Sequence, residues 1–478
     1  MGDEETKKCL KAIDYVKEHC IEQKIEQFIG QVVHERPSDP FGVFANQFAS
    51  QSKQPTITCL KAREVIVSTG GPSLCVEVYA NVLGQNNLVG KSVAPVGISV
   101  SIQEQKPLVD SHSSRYFGLG IQNTFSLVDL VSKHLQQKEF TDIVKFDNMV
   151  KKCLEDKTGI SNVLTAISFS LAKASSYIMQ KPLFLYLYES FFPLQSADNF
   201  IIPTPIFTVF EGGKHSEDSP IPFESVNIIP KSGISFAEQL RICSEVSHQL
   251  KHKIFANGRH FSIGKMGGLV YRNDISTSLS ILEEAITESG YKPGIDITIS
   301  IDCAASTFYL SDIDTPCYQI IENNLTSAQL IQFYIDLMTK HPSISMINDG
   351  ISDVDNLGWD LMRDALIGKV KLFGGDVYSS QSTLARKGLK KKWTDGILIQ
   401  PLQVGCLSDA ADTAILFKQR GKLVCVGRRC GETCESLIAD FAVAIQSEYL
   451  MAGGAFSADG TAKYNQMLRI EEYIKKEM

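Results

Sequence analysis

Between residues 16 and 33, Ile21, Ile25, Phe28, Ile29, Val32 and Val33 recur at helical spacing while Glu, Gln and Lys fill the positions between them. This stripe predicts one amphipathic helix. Glu35-Arg36-Pro37 stops it, and Ser38-Asp39-Pro40 starts a second helix, with Asp39 placed to cap and Pro40 at the first helical position. Phe41, Phe44, Ala45 and Phe48 form the apolar face of that helix. Two short helices cannot bury so much Phe and Ile against each other alone, so the hairpin is expected to meet a partner. The polar stretch 50–55 reads as a linker, which sets a first domain at residues 1–52.

After the linker, residues 57–69, 75–83 and 88–96 read as three strands joined by turns containing Gly, Pro and Asn, and helical patterns follow to about Tyr188. They make a small α+β domain over residues 56–195. From Ile201 the pattern changes: ITISI, SISMI, VKLF, GILI and LVCV are short apolar runs, each followed by a helix-like segment. That alternation predicts a β/α barrel over residues 200–478 and an α/β fold class overall. In such a barrel the working residues stand just beyond the C-terminal ends of the strands.

Composition narrows the function classes. A chain of 478 residues, 44% hydrophobic and 21% charged, suits a large globular core rather than extended disorder. A net charge of −7 without a basic stripe argues against nucleic-acid binding. No apolar run approaches the roughly 20 residues of a bilayer span, and MGDEETKK lacks the basic-then-apolar order of a signal peptide. A cytoplasmic protein without membrane attachment is expected. Gly2 and Thr6 have the spacing of an N-myristoylation signal, but the acidic residues between them favour a flexible, solvated terminus. Twelve cysteines without a CxxC pair read as reduced thiols, and the tightest group, Cys425, Cys430 and Cys434, lacks the nearby His of a zinc site.

The strand-end segments resemble the enolase family (phosphopyruvate hydratase, a lyase) from about Ile57 almost to the C-terminus. The strongest stretches are EGGKH (211–215), SIDCAAS (300–306), GETCESLIADFAVA (431–444) and AKYNQMLRIEE (462–472), with weaker support from SRYFGLG (114–120) and the loop 95–101. The resemblance implies an enolase-type β/α barrel preceded by a small α+β domain, and magnesium as cofactor. It also implies a base, an acid and metal-holding carboxylates for proton removal next to a carboxylate.

Matched residue by residue, most of those groups are missing. Where the family has its Lys base this chain has Gln400, which takes no proton at neutral pH. In GKMGG (264–268) the acid's position is Met266 and its neighbour Lys265. Of the metal carboxylates Asp302 is kept, the second is Asn348 and the third Gly375, with Asp376 beside it, so a magnesium site should be weak or absent. A further Lys of the family is Met451, and its His-Arg-Ser becomes Arg428, Arg429 and Cys430. His215, Glu224, Asp302, Arg429 and Ser99 are the retained matches, although Asp302 could equally cap a turn. The substitutions leave Arg428, Arg429, His215 and Lys265 near the mouth with few carboxylates to neutralise them, the description of an anion pocket.

The hairpin resembles the Dpy-30-type motif through Tyr15, Arg36, Pro37, Asp39, Pro40, Phe41, Phe44, Ala45 and Asn46. That likeness implies a homodimeric four-helix bundle whose groove receives an amphipathic helix of a scaffold protein, through Ile21, Ile25, Phe28, Phe41 and Phe44. Barrel and hairpin together resemble the divergent, sperm-type enolase-like proteins, which implies a cilium or flagellum. Three readings stand at this point: a non-catalytic structural component, a working phosphopyruvate hydratase with rearranged residues, and a sensor of a phosphorylated metabolite.

Overall fold

The computed structural model describes residues 2–477 except 98–100, 102, 112, 113, 197, 198, 217, 218, 257, 259, 312–315, 321 and 322, with backbone alone for 2–6, 9 and 215. It divides into two compact units, residues 1–56 with 80–87, and residues 57–79 with 88–478.

The first unit contains α1 (Gly2–Glu18), α2 (Ile21–Glu35) and α3 (Pro40–Ser50). The stripe over 16–33 predicts a single helix, but the chain breaks at Cys20, which takes a left-handed conformation (φ 51, ψ 33). A helix also begins at Gly2, where a flexible terminus was expected. The turn after α2 follows the sequence reading. Arg36 closes α2 in the left-handed region, its N–H on the Val32 carbonyl at 2.9 Å, and Asp39 Oδ1 accepts from Gly42 N at 2.9 Å with Pro40 in the first turn. Phe28 is buried and meets Phe48 edge to face, ring centroids 5.1 Å apart. Gln47 Nε2 donates to Gln31 Oε1 at 2.9 Å and ties α3 to α2.

Strands β1 (Thr56–Ile66), β2 (Pro72–Val82) and β3 (Gln85–Val93) form a three-stranded sheet in chain order. Helices α4 (Asn123–Leu135), α5 (Ile143–Cys153), α6 (Ser161–Ile178) and α7 (Leu183–Phe191) follow. The next elements are β4 (Thr204–Glu211), β5 (Ser225–Pro230), α8 (Phe236–Ala256), the short β6 (Phe261–Ile263) and β7 (Leu269–Tyr271), α9 (Ile275–Glu288) and β8 (Ile297–Asp302). A small antiparallel sheet of β9 (Tyr309–Leu310), β10 (Cys317–Ile320) and β11 (Asn323–Leu325) interrupts the alternation. Regular βα units then run from α10 (Ser327–Lys340) through β12 (Ile344–Asn348), α11 (Asn356–Leu366), β13 (Lys371–Gly374), α12 (Ser382–Lys391) and β14 (Gly396–Ile399). They end with α13 (Leu407–Lys418), β15 (Leu423–Gly427), α14 (Leu437–Ala444), β16 (Tyr449–Gly453) and α15 (Ala458–Glu477).

Eight strands close the barrel in the order β16-β15-β14-β13-β12-β8-β5-β4, with β16 pairing β4. Strand β5 departs from a uniform parallel barrel: it runs antiparallel to both β4 and β8. Among the described residues of the connection 212–224 the one regular element is a 3-10 turn, Gly213–His215, whereas a parallel return usually runs through a helix. The interior is filled by Ile206, Ile229, Met346, Phe373, Leu398 and Cys425, with Met451 packed against them. Among the described residues the cysteines are free, and no helix is long and apolar enough to cross a membrane.

Two buried carboxylates give the fold a pH dependence. Burial pushes Asp440 on α14 up to about 7, although Gln466 Nε2 donates to it at 3.1 Å, and Asp147 on α5 up to about 6, although Ser408 N donates to it at 3.0 Å. Both folded-state values lie above the ordinary 3.8, so the folded chain binds more protons than the unfolded one across that interval. Their contribution is therefore fully present below about pH 4 and is lost as the pH rises through 6 and 7. Urea unfolding at pH 5.5 and pH 8 should show Asp440→Asn shrinking the stability lost between the two. An unchanged difference would place the ionisation elsewhere.

Candidate active site at the barrel mouth

The strand ends deliver their side chains to a common point. Asp302 ends β8, Asn348 ends β12, Asp376 follows β13, Gln400 follows β14, and Arg428 and Arg429 follow β15. Glu224 immediately precedes the reversed β5 and so stands at the same end. Together with Met266, Asp349 and Cys430 these residues line a cavity of about 40 Å³. Met451 lies one layer deeper, lining with Asp302, Asn348 and Cys425 a smaller void of about 10 Å³. Ser99 lies outside the described residues, and His215 is described by its backbone alone.

The first difference from the sequence reading is electrostatic. That reading leaves the arginines with few carboxylates, whereas Glu224, Asp302, Asp349 and Asp376 all face this cavity. Both guanidinium groups are also engaged. Arg429 Nη2 bonds Glu104 Oε1 and Oε2 at 2.9 Å, and Arg428 Nη2 sits 3.0 Å from Asp459 Oδ2, a charge contact outside hydrogen-bond geometry. Lys265 is exposed, and its carbonyl accepts from Arg428 Nη2 at 3.3 Å. Glu104, Asp349, Glu432 and Asp459 were not singled out from the sequence. Only Asp349, beside Asn348 on a strand end, stood at a place where a search by position could have found it.

Crowded burial has the expected effect on acidity. Burial raises Asp376 to about 7, with Arg429 opposing and Glu224, Glu104 and Asp353 adding to it. Asp349 is driven well above the usual carboxylate range by burial and then by Asp376 and Asp302, although the Gly375 and Asp376 N–H groups donate to it at 2.9 and 3.0 Å. Glu104 is raised by burial, against the pull of Arg429.

Asn348 decides whether this donor set suits a magnesium ion. Its Nδ2 donates to Asp302 Oδ1 at 2.9 Å and to Asp349 Oδ2 at 3.2 Å, while its own Oδ1 has no hydrogen-bond partner. The amide thus puts its positive end between two carboxylates, where a cation would otherwise balance them. Turning it over would set a carbonyl against the Asp302 carboxylate. Gly375 supplies no ligand either, and a Cβ there would lie 2.8 Å from Asp349 Oδ2. Among the described residues no three His, Cys, Asp or Glu side chains are grouped to hold a metal. A hard dication needs several oxygens, mostly charged, in near-octahedral array, and these residues do not fit one.

Gln400 is equally committed. Its Nε2 donates to the Arg428 carbonyl at 2.8 Å and its Oε1 accepts from Arg429 Nη1 at 2.9 Å, so both ends of the amide are tied to the segment after β15. Glu211 at the end of β4 is fully buried and accepts from Met266 N at 2.9 Å and Gly268 N at 2.7 Å. Glu211 therefore shapes the GKMGG turn; a Cβ on Gly264 would collide with its carboxylate.

The chain leading out of β3 is fastened over the mouth. Gly97 N donates to the Cys430 carbonyl at 2.9 Å, Ser101 Oγ to Asp353 Oδ2 at 2.6 Å and Gln105 N to the Gln403 carbonyl at 3.2 Å, in addition to the Glu104–Arg429 pair. These contacts pin the described flanks of the 95–101 segment that resembles a mobile loop. Two family models match the chain: that of the enolase N-terminal domain over residues 57–187 and that of the enolase C-terminal TIM barrel domain over residues 199–478.

Proposed function

This chain belongs to the enolase family, and we propose that it is a non-catalytic member used as a structural component, docked to other proteins through its N-terminal hairpin. The observation that carries the first half is Gln400. A general base must hold a free lone pair of suitable basicity within reach of the substrate, and this amide is neutral and bonded at both ends. Met266 and Met451 offer no proton at the other positions, and the Asn348 amide stands where the family's magnesium would be balanced. Magnesium binding is accordingly weak or absent. The direct test is turnover of 2-phosphoglycerate, with magnesium titrated by calorimetry on the same preparation; micromolar affinity would contradict the reading of Asn348.

The second half rests on the apolar face that the hairpin presents. Ile25, Ile29 and Val33 recur every fourth residue along α2 and are 39%, 48% and 65% exposed, and Phe41 at the start of α3 is 81% exposed. Phe28, by contrast, is committed to packing on Phe48, so Ile25 and Phe41 are the better anchors. Together with the Dpy-30-like turn this supports a homodimeric bundle that receives an amphipathic helix of a scaffold protein in a cytoplasmic assembly, with a cilium or flagellum as the place the combined resemblance implies. In sedimentation of the full chain, Ile25→Glu with Phe41→Glu should remove the largest self-associated species seen for the wild type. An unchanged mass distribution would remove the hairpin as a contact.

A phosphometabolite sensor is the second reading, and one observation favours it. Arg428 Nη1 is buried at the cavity without a hydrogen-bond partner. Against it, about 40 Å³ is room for a few waters and not for a phosphorylated metabolite.

A further inference from the structure

We infer that Ser276, His341 and Glu283, none of which lines the barrel-mouth cavity, form a nucleophile–base–carboxylate relay in which Ser276 takes up an acyl or phosphonyl group from an activated donor. Ser276 is the second residue of α9, and Glu283 lies two turns further along, on the same face of that helix. His341 closes α10, its N–H on the Leu337 carbonyl at 2.8 Å, and its imidazole is buried. Nδ1 is 2.9 Å from Glu283 Oε2 and Nε2 is 3.0 Å from Ser276 Oγ.

A carboxylate oxygen accepts, so Nδ1 donates to Glu283, and in the neutral imidazole Nε2 then turns its lone pair to the Ser276 hydroxyl. The other oxygen of Glu283 accepts from Ser343 Oγ at 2.5 Å, which holds the carboxylate in place. A nucleophile, a base and a group that orients the base, each within hydrogen-bond reach of the next, define such a relay whatever fold carries it. Ser276 is partly exposed, so a reagent reaches its hydroxyl from solvent while the imidazole stays covered.

In the reaction Ser276 Oγ bonds to the electrophilic carbon or phosphorus, and its proton passes to His341 Nε2. The leaving group, fluoride from a fluorophosphonate or phenolate from an aryl ester, departs with the electron pair of the broken bond. Stabilisation of the developing oxyanion is limited. The Thr277 N–H in the first turn of α9 is already given to Asp274 Oδ1 at 3.0 Å. A single acylation therefore suits this geometry better than rapid turnover.

The test is labelling of the full chain by a fluorophosphonate probe, with the site and rate read by peptide mass spectrometry. One adduct is expected, at Ser276, absent from Ser276→Ala and formed about 10²-fold to 10⁴-fold more slowly in His341→Gln, the range of a positioned base. Glu283→Gln keeps the imidazole but weakens its orientation, and should slow labelling even if His341→Gln fails to fold. No adduct at Ser276, or an adduct whose rate is unchanged in Glu283→Gln, would overturn the relay.

Discussion

Given 2-phosphoglycerate and saturating magnesium, the purified full chain is expected to release phosphoenolpyruvate at least about 10² to 10⁴ times more slowly than an ordinary enolase, the deficit attached to losing a positioned base alone. Loss of the acid and of a well-formed cation site adds to it. The geometry also predicts that putting the base back is not enough. In Gln400→Lys the new ammonium would arrive where the amide oxygen now accepts from Arg429 Nη1 at 2.9 Å, so it would meet a guanidinium instead of a substrate proton. The variant should remain inactive and unfold at lower urea than the wild type. Magnesium-dependent turnover at the ordinary rate, from a preparation free of host enolase, would defeat the non-catalytic reading. Recovery of activity in Gln400→Lys would show instead that Asp302 and its neighbours still assemble a cation site.

Much of this was legible because the relevant signals are local. Five of the eight barrel strands show as short, largely apolar runs between turns, and within three residues after each run a side chain stands at the mouth: Asp302, Asn348, Asp376, Gln400 and Arg428. The capping turn 36–40 was equally readable, since Asp39 and Pro40 act within three residues of each other. Two kinds of feature escaped. The break at Cys20 is a left-handed residue within the span 16–33, one position before the stripe begins at Ile21, and hydrophobic period carries no information about a single φ angle. The charge balance of the mouth escaped because its partners come from far apart in the chain. Glu104 reaches Arg429 across 325 residues, and Asp459 neutralises Arg428 from α15. A list of substitutions at family positions shows which charges were lost, but not which unassigned carboxylates stand nearby.

Those long-range partners close a ring that fixes the mouth. Arg428 contacts Asp459, whose carbonyl accepts from Lys463 Nζ at 2.9 Å; Lys463 pairs with Glu432; and Glu432 Oε1 accepts from Arg429 N at 3.1 Å. Lys463 belongs to the AKYNQMLRIEE stretch and its side chain is wholly buried, with Thr433 O as a further acceptor at 3.3 Å. Lys463→Ala should therefore leave the Glu432 carboxylate buried without the ammonium that pairs with it directly and cost up to about 3–5 kcal/mol of stability, the range for removing one partner of a buried pair. Glu432→Gln alone should cost a comparable amount, since it strands the ammonium. The two losses should not add, because either single variant already breaks the Lys463–Glu432 ion pair and the double variant has no such pair left to break. Urea unfolding of both single variants and the double variant measures the coupling. A double variant as destabilised as the sum of the singles would mean that Lys463 and Glu432 act independently, and that the arginines after β15 owe their position to Glu104 and Asp459 instead.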